Sequence, residues 1–297
     1  MDTETIRSLP KYHRRAFIGL LILICAGLIS IDFLLLGASG ATAHMISAYI
    51  ESVVSAILGG LLIFWIFVSF TPYGESGGLD QIEPNRITKE FDVLLRDARR
   101  WRYKGNFGRY ERGKVLPTIA GRPNAHATIS VIDPLDNALC QRHAEYRNRI
   151  NSIDKGKKYE ANTVALEVVV TIIYCAWYVA NKSVSIDLFL LSVFDPVRLD
   201  SNDEAMIITV EDRRSPALKL SKQHFMYEHF ESQMQYAREQ GRQVNLRGLP
   251  ASPTIAALKS RDIETFLEGI GMEGLCRGLT SEAILNAVRE SKNPYEN

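Results

Sequence analysis

Ala16-Phe-Ile-Gly-Leu-Leu-Ile-Leu-Ile-Cys-Ala-Gly-Leu-Ile-Ser-Ile-Asp-Phe-Leu-Leu-Leu36 and Ser52-Val-Val-Ser-Ala-Ile-Leu-Gly-Gly-Leu-Leu-Ile-Phe-Trp-Ile-Phe-Val-Ser-Phe70 are the stretches whose reading decides the fold. Each holds roughly twenty mostly apolar residues, the number a helix needs to cross a ~30 Å hydrocarbon core at 1.5 Å per residue. The connector Gly37-Ala-Ser-Gly-Ala-Thr-Ala-His-Met45 is built of small residues that extend a helix poorly. The first quarter therefore predicts a transmembrane hairpin over residues 16–71, with helices near 16–36 and 52–70. A short N-terminus, residues 1–15, precedes it. A turn-rich linker follows over 72–85, and a soluble α/β domain over 86–297.

Charge supports the division. The chain is +1 overall, yet residues 16–71 hold Asp32 and Glu51 and no Lys or Arg, which leaves +3 for the rest. That domain is only mildly basic. Arg7, Lys11, Arg14 and Arg15 precede the first span and Arg86 and Lys89 follow the second, so both termini are expected on the cytoplasmic side. The first run is too long for the apolar core of a signal peptide, and Phe33-Leu-Leu-Leu36 offers no cleavage site. Cys25, Cys140, Cys175 and Cys276 have neither disulfide nor zinc spacing.

Within the spans, Asp32 reads either as a carboxylate reaching the headgroup zone or as a polar contact between helices, and Glu51 lies at a similar height. Ser52, Ala56 and Gly60 recur every four residues, a row that permits close helix approach inside the hairpin or between copies. Phe64, Trp65, Phe67 and Phe70 form an aromatic end suited to the interface.

In the soluble part, apolar residues from Ile87 to Trp101 follow helical periodicity. Thr128–Asp133, Ser185–Phe194 and Ala205–Val210 read as strands, with a further short one at Pro216–Leu220. Leu135–Ile150, Lys222–Gln240 and Thr280–Lys292 read as helices, and Ser252 as the cap of a helix starting at Pro253. Tyr159–Val179 is very apolar. Glu167 interrupts it, and its uncharged core is short for a bilayer, so a buried helix is expected.

Between Arg96 and Lys114 lie eight cations and two acids, interleaved with Trp101, Tyr103, Phe107 and Tyr110. Arg99, Arg100, Arg102, Lys104, Arg109 and Arg112, with Gly105 and Gly108, could contact an anion or nucleoprotein through phosphates and stacked bases. A solvated basic face with its aromatics in the core explains the same pattern. No HExxH, GxxxxGK[ST] or GxSxG occurs, so no catalytic residue, metal or cofactor is expected. Asp133 and His143 are the sole candidate bases if a phosphate-handling enzyme is entertained.

The hairpin, Asp97-Ala-Arg-Arg-Trp-Arg-Tyr-Lys-Gly-Asn-Phe-Gly-Arg-Tyr110, Ile129-Ser-Val-Ile-Asp-Pro134 and His143-Ala-Glu-Tyr-Arg147 together resemble the two-transmembrane effectors of bacterial retron anti-phage systems. The soluble part is also distantly similar to a phospholipase-D-type α/β layer that lacks the histidine–lysine catalytic pair. The resemblance implies a toxic effector held silent by a reverse transcriptase and its RNA–DNA product (msDNA). On release it would permeabilise the inner membrane as a homo-oligomer and abort infection. A membrane-tethered enzyme acting on a nucleotide or phosphate, or a non-toxic nucleic-acid-binding scaffold, remain the alternatives.

Overall fold

The computed structural model describes residues 19, 23–31, 33, 41–70, 78–151, 156, 158–182, 184–273, 275 and 279–291, with side chains of the 41–70 helix described over 45–60. The chain divides into two compact units, residues 1–75 and 76–297.

In the first unit, residues 23–31 are helical, and α1 runs from Ala41 to Phe70. At 1.5 Å per residue its 30 residues span about 45 Å. The expected connector is thus shorter than the composition suggested. Ala41–Met45 joins the helix, because Ala41, Ala43 and Met45 favour it more than Thr42 and His44 oppose it. Cys25, Ile50 and Val54 are buried, whereas Leu23, Ile29, Phe33, Met45, Tyr49 and Leu58 are exposed. Ser52, Ala56 and Gly60 also face outward, and a Cβ added at Gly60 would meet nothing within 4 Å. Glu51 is exposed as well. Asp32, residues 1–15 and the side chains of the aromatic end lie outside the described residues. Among the residues whose side chains are described, the helix long and apolar enough to cross a membrane, by length and composition, is Ala161–Asn181.

The second unit is built on one mixed sheet of eight strands. In chain order they are β1 (Leu79–Ile82), β2 (Arg100–Lys104), β3 (Ala125–Ile132), β4 (Val184–Leu191), β5 (Val197–Ser201), β6 (Ala205–Val210), β7 (Ala217–Ser221) and β8 (Arg242–Val244). Their spatial order is β1-β7-β6-β5-β2-β3-β4-β8. β2, β3 and β4 are parallel, and all other pairings are antiparallel. Parallel strands require crossovers. These are α3 (Leu116–Ile119) between β2 and β3, then α4 (Asn137–Arg149) and α5 (Ala161–Asn181) between β3 and β4. Asp136 caps α4 by accepting from the Leu139 N–H at 2.9 Å.

The long apolar helix is buried as expected. Twelve of the α5 side chains are buried, among them Val168, Ile172, Ile173 and Cys175, and they join the core that also takes in Trp101, Ile129 and Leu188 of the sheet. The opposite sheet face is covered by α6 (Phe225–Glu239) over a smaller cluster of Leu199, Met206, Leu220, Tyr227 and Met234. The remaining helices are α2 (Ile87–Leu95), α7 (Ser260–Gly269) and α8 (Ser281–Glu290), the last capped by Thr280.

Three expectations are corrected here. The helix predicted over Ile87–Trp101 ends at Leu95, and Arg100–Lys104 is instead a strand, because alternating charged and aromatic residues suit a sheet with one face in the core. The linker predicted over 72–85 contains edge strand β1, whose four residues pair with β7, so sheet structure starts before residue 86. Ser252 begins no helix. Its Oγ accepts from the Trp177 indole N–H at 3.0 Å and donates to the Thr254 carbonyl at 3.0 Å, and the chain turns helical only at Ser260 apart from one 3₁₀ turn at Ile255–Ala257.

Candidate functional site

Strand geometry sorts the basic segment before any partner is considered. Side chains alternate across a sheet. On β2, Arg100, Arg102 and Lys104 therefore share the α6 face, and Trp101 and Tyr103 enter the core on the other. Arg102 is held by Glu231 at 2.9 Å, Asp203 at 3.0 Å, the Asn202 carbonyl at 2.5 Å and Tyr227 Oη at 3.1 Å. Lys104 pairs with Asp195.

Beyond β2 the chain enters a loop and then a helical stretch with a π turn at Glu111–Val115, a wide turn that often marks functional sites. Both Glu111 and Arg112 are buried there. Arg109 and Arg112 share the carboxylate of Glu167 on α5. Arg109 takes one oxygen, and Arg112 takes the other at 2.6 Å. Arg112 also donates to Thr171 Oγ1 at 2.7 Å and to Ser291 Oγ at 3.1 Å. Burial would raise the Glu167 carboxyl, but the two guanidiniums outweigh it and bring it down to about 2.

A second half-buried carboxylate sits just past β6. Glu211 accepts from Asn106 Nδ2 at 2.9 Å and Arg147 Nη1 at 3.1 Å, and lies 3.0 Å from His143 Nε2. Burial again pushes upward, while His143, Arg147 and Asn106 prevail and hold Glu211 at about 2. The His143 ring is fully buried against Phe107, with centroids 4.6 Å apart. A third cluster joins β5 to the π turn. Arg198 grips both oxygens of Asp200 and reaches Glu111 at 3.5 Å. Its guanidinium lies 5.0 to 5.3 Å from the ring centres of Phe91, Tyr103 and Tyr110. Burial, followed by the Asp200 charge, lifts Glu111 well above the carboxylate range.

These clusters surround a cleft of about 550 Å³, walled by Arg109, Arg147, Arg198 and Arg213 together with Phe91, Tyr103 and Phe107. The candidate contact residues thus divide. Arg99 and Arg100 have exposed side chains, whereas Arg102, Lys104, Arg109 and Arg112 are ion-paired within their own chain. Both glycines sit in close packing. A Cβ on Gly105 would strike the Tyr103 ring, and one on Gly108 would come within 2.7 Å of Thr171 Cγ2. Asp133 accepts from the Leu135 N–H at 2.9 Å and lies near Arg242, so it is not joined to His143 by any contact among the described residues.

Sequence reasoning missed Arg147, Arg198, Asp200 and Glu211. A signal existed, since an isolated acid beside an apolar run is costly to bury unless a cation meets it. Glu167, Asp200 and Glu211 are such acids, and the surplus of arginine in 96–114 supplies the cations for one of the three clusters, through Arg109 and Arg112 on Glu167.

The chain matches no protein-family model and no curated protein. Among solved structures it is similar to TrmBL2, an archaeal chromatin protein described as showing a novel mode of DNA binding. Identity is 11% over 69% of this chain and 71% of that one, and the TM-score of 0.32 carries no argument about either fold or function.

Proposed function

We propose that the chain is a membrane-embedded toxic effector of the retron anti-phage type. In this reading a reverse transcriptase and its RNA–DNA product restrain it, and its release permeabilises the bacterial inner membrane and aborts infection. Both termini face the cytoplasm, residues 76–297 govern the hairpin, and the chain performs no catalysis of its own. The observation that carries the reading is the uncovered surface of the first unit. Leu23, Phe33, Met45 and Tyr49 are each more than 70% exposed, and the small-residue row Ser52, Ala56, Gly60 lies open on a face different from buried Ile50 and Val54. Such a surface is stable when lipid covers the large side chains and a second copy packs on the small ones. Exposed Arg99 and Arg100 are the cations of the basic segment assigned to the nucleoprotein.

Expression without the restraining partner should arrest growth and admit a membrane-impermeant dye. Deleting residues 16–71 should abolish both while the remaining domain stays folded. Toxicity that survives the deletion would sink the proposal. Replacing Arg99 and Arg100 by Ala should weaken nucleoprotein association and flatten its salt dependence.

A further inference from the structure

The cleft beside the π turn is not used by the effector reading, and its construction points to a ligand. It opens at the edge where β2 and β6 both end, since two antiparallel steps through β5 leave those strands running the same way. In open α/β sheets the crevice outside strand C-termini is where ligands bind. One wall comes from the loop after β2 and the start of the π-turn helix, with Phe107, Gly108, Arg109 and Tyr110. A second comes from Thr209 through Arg213, and a third from Pro84 through Phe91 at the entry to α2.

The lining carries four guanidiniums, Arg109, Arg147, Arg198 and Arg213, against two carboxylates, Glu211 and Asp212. Three of the four are held by Glu167, Glu211 and Asp200, so their positions are set before a ligand arrives. Arg213 stands exposed at the rim. Away from the guanidiniums the wall is apolar and hydrogen-bonding, with Ile87, Val210, Asn85 and Thr88. A volume of about 550 Å³ far exceeds an inorganic anion and fits a small organic molecule.

We propose that this cleft binds a nucleoside phosphate, with the phosphate toward the arginines and the nucleoside against Ile87 and Val210. It is a binding site, with no chemistry assigned to it, and it stands whether or not the chain is toxic.

The test uses the full-length chain in lipid nanodiscs and calorimetric titration with AMP, GMP, CMP and UMP, alongside adenosine and inorganic phosphate. At least one mononucleotide should bind with a Kd of about 1 mM or tighter, and the bare nucleoside and bare phosphate at least about tenfold more weakly. Arg213→Glu and Thr88→Trp both alter exposed rim positions. Each should weaken binding about tenfold or more while leaving the thermal midpoint unchanged. The assignment is overturned if none of the four nucleotides binds up to about 10 mM, if phosphate alone binds as well as the nucleotides, or if both variants bind like the parent. The titration reads the cleft alone, so its outcome is separable from that of the growth-arrest experiment.

Discussion

The charge state of single carboxyls decides how the basic segment is folded away. Glu111 and Asp200 are both fully buried and both reach toward Arg198. Burial and the neighbouring Asp200 charge push the Glu111 carboxyl well above its ordinary value, while Arg198 grips both oxygens of Asp200. Glu111→Gln, which keeps the shape and removes a charge that burial disfavours, is therefore expected to cost less than about 1 kcal/mol. Asp200→Asn strands Arg198 among Phe91, Tyr103 and Tyr110 and should cost about 3–5 kcal/mol. Urea unfolding followed by tryptophan emission measures both, and the reverse ranking would contradict the upward shift of Glu111. None of this was legible locally. Glu111 reads as one of two acids diluting a basic run, and its partners lie 87 and 89 residues further along the chain.

At the scale of elements, the loop and π turn after β2 are specified by close approach. Gly108 sits at φ +68°, where side-chain-bearing residues are strained, and its missing Cβ leaves room for Thr171. Its N–H donates to Tyr103 Oη at 3.1 Å. Gly108→Ala should cost roughly 1–3 kcal/mol in urea unfolding, and more where Thr171 cannot shift. An unchanged midpoint would mean that the loop relaxes freely. The α2–β2 boundary shows what local reading can and cannot do. Arg100-Trp-Arg-Tyr-Lys104 alternates with period two, a strand signal present in the letters, but the helical stripe running up to Ala98 extends to Trp101 by spacing alone. Register against Ala127 and Ile129 of β3 breaks the tie, because the pairing places Trp101 and Tyr103 in the core.

The whole second unit should respond to acid through Glu167 and Glu211. Both titrate near 2 in the fold against an ordinary value of 4.5. A depressed carboxylate stabilises fully above its unfolded pKa and loses that contribution as pH falls toward the folded one. Stability should therefore drop between pH 4.5 and 2, by on the order of 3 kcal/mol per group. Glu111 acts with the opposite sign. Its raised pKa means that its contribution declines as pH rises above 4.5. Urea midpoints from pH 7 downward test the balance, and the double variant Glu167→Gln, Glu211→Gln should flatten the acid limb. The division at residues 75 and 76 carries a further expectation: the 76–297 segment alone should be soluble and unfold cooperatively. Size-exclusion chromatography and circular dichroism would show it, and aggregation or non-cooperative melting would count against an independent unit.

The sequence by itself determined the α/β class of the second unit and the places of β3, β4, β6, α4, α5 and α6, because a buried element writes its own period into neighbouring residues. It also marked α5 as a core helix, through the acid that interrupts it. Only the tertiary structure decided the edge strand β1, the strand β5 and the fate of the arginines. Arg109 finds its carboxylate 58 residues away, and Arg102 finds one 129 residues away. A charge in a chain carries no record of the opposite charge it will meet, so ion pairs, unlike helices, exist only once distant segments have been brought together.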